Sequence, residues 1–165
     1  MTEWSEKWYM KLNYKKSKVI HMGKNNPQKN YYIFDAASLT NVNNLKSEKE
    51  YDLGITITSN GKWDTHASEI ASKANHILGW MKNKFISRDA KLWKKLYTVC
   101  IRPHLEFATP ACNNYSKLAI QRIERIQKRA TKVPHSLKKF QYEDRLQVLN
   151  LDTLTTRRAR FNSVQ

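Results

Sequence analysis

The 165-residue sequence is poor in the residues that punctuate or cross-link a chain, with 4 Gly, 4 Pro and 2 Cys. So few glycines leave little from which to build a phosphate-cradling loop, and no Walker-type, Gly-x-Ser-x-Gly or His-Glu-x-x-His string occurs. Cys100 and Cys112 cannot form a disulfide framework and suit a reducing, intracellular setting. With His104 they read Cys-x3-His-x7-Cys, which lacks the paired knuckle and fourth ligand of a structural zinc site, so no metal site is assigned. No run approaches the roughly 18 apolar residues that a membrane span needs. Residues 1–7 have no hydrophobic run behind them, so neither a membrane partner nor a secretory signal peptide is expected. The only adjacent carboxylates, Glu143 and Asp144, fall within a predicted helix, where neighbours i and i+1 do not face each other. No catalytic residue is assigned.

Acidic residues are scarce as well: 14 Asp+Glu stand against 30 Lys+Arg, a formal net charge of +16. The excess is uneven. Residues 1–81 hold 11 basic and 8 acidic residues, whereas residues 82–165 hold 19 and 6. Such asymmetry points to a polyanion, most simply nucleic acid. What the chain does have is apolar material, 40% hydrophobic residues, which is enough to bury a core and excludes disorder throughout.

The hydrophobic period changes near residue 62. Before it, Trp4, Trp8, Tyr9, Met10 and Leu12 are spaced as on a short helix. Strand signals follow at 18–23, 31–34, weakly at 39–42, and at 51–58, with a polar turn at 24–30 and an Asn60-Gly61 turn. Three short strands and one helix make a marginal core, so this part reads as the edge of a sheet completed elsewhere. After it, Ala67, Ile70, Ala71, Ala74, Ile77, Leu78, Met81 and Phe85 trace one face of a long helix, capped by Asp64 or Thr65. Ser87 is placed to cap a second helix carrying Leu92, Trp93, Leu96, Tyr97, Val99 and Cys100, with a break or kink at Arg102-Pro103. Residues 104–116 become loop-like around Pro110, Asn113 and Asn114. Helices are predicted at about 117–132, ended by Pro134, at 142–149, and from 151 to 160. The expected fold is α+β, mainly α: a small N-terminal helix and antiparallel hairpin segment over 1–61, then a basic bundle of four to five helices over 62–165.

The third of these helices carries the clearest signal. At about 100° per residue, Arg122, Arg125, Arg129 and Lys132 fall within an arc of about 80°. Ala119, Ile123, Ile126 and Ala130 occupy the neighbouring arc, with Ile120 at its edge. The helix therefore packs by one side and presents a basic ridge on the other, with Glu124 as its sole opposing charge. Such a ridge tracks phosphates and does not by itself read bases. With Lys128, Lys94 and Lys95, these residues form the candidate nucleic-acid-binding set. Aromatics interleave with basic residues at Trp80-Met81-Lys82, Trp93-Lys94-Lys95 and Lys139-Phe140-Gln141-Tyr142, where they could stack on bases. Trp93 and Tyr97, spaced i and i+4, suit a core better.

Ordered strings of the sequence resemble the reverse transcriptases of non-LTR retrotransposons, jockey-like elements among them. The stretch from Leu12-Asn13-Tyr14-Lys15-Lys16 to Val19-Ile20-His21-Met22-Gly23 is similar to the segment after their catalytic turn. Lys49-Glu50-Tyr51-Asp52-Leu53-Gly54-Ile55 and Lys62-Trp63-Asp64-Thr65-His66 follow. Lys95-Leu96-Tyr97, Ile101-Arg102-Pro103-His104-Leu105-Glu106-Phe107 and the run from Ile123 to Lys132 come next. Tyr142-Glu143-Asp144-Arg145-Leu146 and the run from Leu154 to Arg160 end the series. The sequence departs from the family at Pro110-Ala111-Cys112-Asn113-Asn114, where a Trp is usual, and at Gly61, where a Leu is usual.

The resemblance implies that residues 1–61 are the C-terminal edge of a polymerase palm and the rest a thumb truncated at its C-terminus. It implies that Asn13 and Lys16 lie near the incoming nucleotide's phosphates. It also makes Leu53-Gly54 part of a hairpin that steadies the primer end. The family's Asp-Asp turn, fingers and earlier palm aspartate are expected upstream of Met1. Without those carboxylates this chain alone is predicted inactive, with no cofactor of its own and Mg²⁺ expected only for the complete polymerase. The expected partners are RNA, DNA or an RNA–DNA duplex, together with the upstream fingers and palm, in a ribonucleoprotein of cytoplasm and nucleus. The alternatives are a co-opted helical module that binds an acidic protein partner, and the product of a decayed gene with no function.

Overall fold

Short β-favouring runs separated by polar residues pair only locally in the first part of the chain, and long amphipathic runs build a helical core in the second. The computed structural model describes residues 4, 7–10, 13, 15–35, 40–109, 112 and 115–163. It is α+β and mainly helical, and the chain divides into two compact units, Met1–Lys62 and Trp63–Gln165.

Among the described residues of the first unit, six short strands form three separate pairs. β1 (Lys18–Val19) lies parallel to β4 (Leu45–Lys46). β2 (Tyr32–Asp35) runs antiparallel to β3 (Thr40–Asn43), with Tyr32 opposite Asn43. β5 (Lys49–Asp52) runs antiparallel to β6 (Ile55–Thr58), with Asp52 opposite Ile55. The strand expected over 18–23 is thus two residues long, and the one expected over 51–58 is a hairpin. Its two central residues, Leu53 (φ 47°) and Gly54 (φ 82°), both have positive φ, as a two-residue type I′ turn requires. The Asn60-Gly61 turn forms: Gly61 has φ 67° and its N–H donates to the Thr58 carbonyl at 2.9 Å. At the start of the chain the Trp8 N–H donates to the Trp4 carbonyl at 3.1 Å, a helical spacing. Leu12, Tyr14 and Leu39 lie outside the described residues.

The second unit is built on α1 (Asp64–Lys84), which buries Ala67, Ile70, Ala71, Ala74, Leu78 and Met81 along one face. Ile77 and Phe85 are only half-buried. Neither Asp64 nor Thr65 caps the helix; the N-cap position falls on Trp63, without a side-chain bond. Asp64 sits in the first turn, and its carboxylate accepts from the Ser116 hydroxyl at 2.5 Å. At the other end the Arg88 guanidinium donates to the carbonyls of Lys82 and Phe85, which satisfies the last turn's free acceptors and opposes the helix dipole. The cap of α2 (Ala90–Leu96) is Asp89, which accepts the Leu92 N–H at 2.8 Å, and not Ser87. The Ser87 carbonyl instead takes the Trp93 indole N–H at 2.7 Å.

No break follows at Arg102-Pro103. The chain continues through a π-helical turn, Tyr97–Ile101, into α3 (Arg102–Glu106), whose first turn holds Pro103. The buried stripe explains the turn. Trp93, Tyr97, Ile101 and Leu105 are buried at steps of four residues. An α-helix drifts by about 40° at each such step. The wider i→i+5 turn takes up the drift and keeps the four side chains on one face. Pro110, Ala111, Asn113 and Asn114 lie outside the described residues, and Cys112 between them is buried.

α4 (Lys117–Thr131) is the central helix. Ser116 caps it by accepting the Ala119 N–H at 3.2 Å. It packs most extensively on α1, and also meets α5 (Tyr142–Leu149) and α6 (Leu154–Ser163). Pro134 and a 3-10 turn at His135–Leu137 separate α4 from α5. Asn150, in the left-handed conformation (φ 48°), closes α5. Among the described residues no helix is long and apolar enough to cross a membrane.

Candidate nucleic-acid interface

The arc of the α4 sequence becomes two faces in the structure. Ala119, Ile123, Ile126 and Ala130 are buried against the neighbouring helices, and Ile120 is half-buried at the edge. Arg122, Arg125, Lys128 and Arg129 on the helix, and Lys132 at its C-cap, are all exposed. Two of these cations are held in place. The Arg122 guanidinium donates to the Ser68 hydroxyl on α1 at 2.9 Å. This uses one of five N–H donors and leaves the rest for an anion. The Lys128 ammonium lies 4.8 Å from the centre of the Tyr142 ring on α5.

Glu124 does not offset the ridge. Its carboxylate turns inward, where it accepts the Tyr142 hydroxyl and the Leu154 N–H at 3.1 Å, at the start of α6. Burial and the Glu124 carboxylate together push the Tyr142 hydroxyl above its usual range, so it stays protonated and donating. Gln127 is buried on the same side. Its carbonyl accepts the Tyr97 hydroxyl, and its amide donates to the Asp152 carbonyl at 2.9 Å. Two polar residues within α4 thus tie it to its neighbours, while the cations stand outside. A helical wheel places neither tie, because both partners come from distant sequence.

The remaining candidates are more scattered. Lys95 on α2 is exposed, whereas Lys94 is half-buried and lines a small gap with Ala130 and Thr131 at the C-terminal end of α4. Trp93 and Tyr97 are core residues. Trp80 and Phe140 are the aromatics of the basic stretches that remain exposed and free to stack. Glu143 and Asp144 are exposed in the first turn of α5, where their charge suits the helix dipole. Among the described residues no three His, Cys, Asp or Glu side chains gather to hold a metal ion.

In the first unit Asn13 and Lys16 share one turn. The Lys16 N–H donates to the Asn13 carbonyl at 3.1 Å and to its side-chain oxygen at 3.3 Å, and both residues are exposed. Leu53, 87% exposed, forms the tip of the β5–β6 hairpin with Gly54. An ion pair at 2.8 Å joins Lys18 on β1 to Glu50 on β5, and the hydrogen bond from Lys18 holds the Glu50 carboxyl below its ordinary value. No protein-family model, curated protein or solved structure matches the chain.

Proposed function

We propose that the second unit is a duplex-binding module, the thumb of a reverse transcriptase of the non-LTR retrotransposon kind. In the same reading the first unit is the edge of that enzyme's palm. The observation that carries the reading is the α4 ridge: five exposed cations on one helix while the helix's only acid is committed inside. A row of cations at helical spacing meets successive phosphates and releases their counterions, whatever the base sequence. The exposed apolar side chains of the first unit, among them Tyr31, Tyr32, Leu45 and Tyr51, support a missing partner surface such as the rest of a palm. In this reading the two-metal step belongs to carboxylates that the resemblance places upstream, and the chain alone is expected not to polymerise.

Titration of the protein with an RNA–DNA duplex at increasing salt tests the reading. The logarithm of the binding constant is expected to fall linearly with the logarithm of salt concentration, and the slope to shrink by about 3 when Arg122, Arg125 and Arg129 are replaced together by Gln. Folding of that variant is expected to be intact, because all three side chains face water. Binding that ignores salt, or that survives the triple replacement, refutes it. Preference for an acidic protein over the duplex would favour a protein-interaction module instead. Template-dependent primer extension by the purified chain with Mg²⁺ would overturn the inactive assignment.

A further inference from the structure

Away from the ridge, the second unit has a half-open cavity of about 200 Å³ whose lining includes the buried Arg158, Tyr115 and Cys112, the half-buried Ile120 and the exposed Thr155 and Ala159. That is room for several waters and is smaller than the usual pocket for a drug-sized ligand. Its chemistry is unusual for the interior of a basic helical bundle. Arg158, on α6, is 8% exposed and keeps its charge, since guanidinium does not deprotonate in proteins. One terminal nitrogen donates to the Leu105 carbonyl at 2.7 Å, and the guanidinium carbon lies 4.7 Å from the centre of the Tyr115 ring. Among the described residues its Nε has no hydrogen-bond partner, and neither has the hydroxyl of Tyr115, a residue only 9% exposed.

No carboxylate neutralises this cation among the described ion pairs. The two carboxylates that act on it, Glu106 and Glu124, are committed elsewhere: Glu106 to Arg157 and Arg102, Glu124 to Tyr142 and Leu154. A buried charge without an opposite charge is costly, as are buried donors without acceptors. Burial holds the Tyr115 hydroxyl at about 12, so at neutral pH it is a donor and not a rival anion. Among the described residues the site therefore offers one positive charge without an ion-pair partner and two donors without acceptors, with Thr155 also on the lining.

We propose that this cavity binds a phosphate group, the Arg158 guanidinium supplying charge and the Tyr115 hydroxyl a hydrogen bond. The source is either free phosphate or the phosphate of a small ester such as a mononucleotide. The site is separate from the α4 ridge, whose cations are exposed and track a polymer.

Calorimetric titration of the full chain with inorganic phosphate, 5′-mononucleotide and acetate, at physiological chloride, tests the proposal. Saturable one-to-one binding of phosphate is expected, with about tenfold weaker binding in Tyr115→Phe, which keeps the ring under Arg158 and removes only the donor. Ala159→Met, which fills the cavity from an exposed position on its lining and leaves Arg158 and Tyr115 unsubstituted, is expected to abolish binding. The triple Gln variant of the ridge is expected to bind phosphate unchanged. Tighter binding of the mononucleotide would name an ester as the occupant, and equal binding would name free phosphate. No saturable binding, tighter binding of acetate, or binding that survives Ala159→Met but is lost with the ridge would overturn the proposal. Circular dichroism of each variant separates loss of the site from loss of the fold.

Discussion

The two units of this chain invest their hydrophobic residues in opposite ways. Every buried hydrophobic side chain among the described residues lies between Ala67 and Leu154, in the second unit. The first unit instead shows Trp4, Trp8, Tyr9, Met10, Met22, Tyr31, Tyr32, Leu45, Tyr51 and Leu53 to solvent. Its described strands are two to four residues long and pair only in twos. Two-stranded pairs are marginal without a covering face, whereas helices that interlock one apolar stripe each bury area at every turn. The difference teaches that stability in this protein resides in the helical unit. The strand unit carries the surfaces that ask for something to cover them.

Four changes would break or sharpen that contrast. The largest effect is expected from Ile123→Ala, which opens a cavity at a fully buried position of the central helix. It should cost about 2–5 kcal/mol. Hydrogen exchange should show protection falling across the helical unit and staying unchanged, and low, in the strand unit. An equal loss of protection in both units would mean that they fold as one cooperative body.

Acidification is the next test. Burial, only partly offset by the Glu69 charge and reinforced by Arg158, holds the His66 imidazole below its ordinary 6.5. The unfolded chain then binds a proton more readily than the folded one. His66 therefore contributes stability that is present above about pH 6.5 and is lost as the pH falls from there toward its depressed folded value. The helical unit's melting temperature should drop between about pH 7.5 and pH 5.5, and less steeply in His66→Gln. His104, also lowered by burial, adds to the slope in both proteins. An identical slope in the variant would remove His66 from the account.

The two smaller effects belong to the strand unit. Leu53 holds a left-handed backbone (φ 47°) at an exposed hairpin tip, which costs a branched side chain about 1–2 kcal/mol. Leu53→Asn should stabilise the hairpin by up to about 1 kcal/mol, read as slower exchange of the β5 and β6 amides, and leave the helical unit untouched. Destabilisation would mean that the leucine side chain has a packing role in the free protein. Smallest of all, Glu50→Gln removes an exposed ion pair to Lys18. It should leave stability nearly unchanged, with less effect still at high salt.

Much of the helical unit was legible before any coordinates. The apolar positions of α1 and the boundaries of α4 and α5 follow from a 3.6-residue period that needs only local sequence. So does the exposure of the α4 cations. Where the reading failed, a competing contact had won. Asp64 or Thr65 was expected to cap α1, but neither does, and the Asp64 carboxylate is claimed by Ser116, 52 residues away. A break or kink was expected at Arg102-Pro103; the helix is not broken there, and a π turn over Tyr97–Ile101 precedes the proline. Tyr51 to Thr58 alternated like one strand, because Leu53 carries none of the turn chemistry that its positive φ implies.

By itself, then, the sequence determined the class of each segment, the long amphipathic helices and the basic ridge, since periodicity and charge are properties of neighbours along the chain. Only the tertiary structure decided which polar groups are spent inside. It turned Glu124 inward and left the ridge unopposed, and it buried Arg158 and Tyr115 beside an empty space. Those outcomes depend on partners from distant helices, and no local pattern encodes the direction in which a lone Glu or Arg will face.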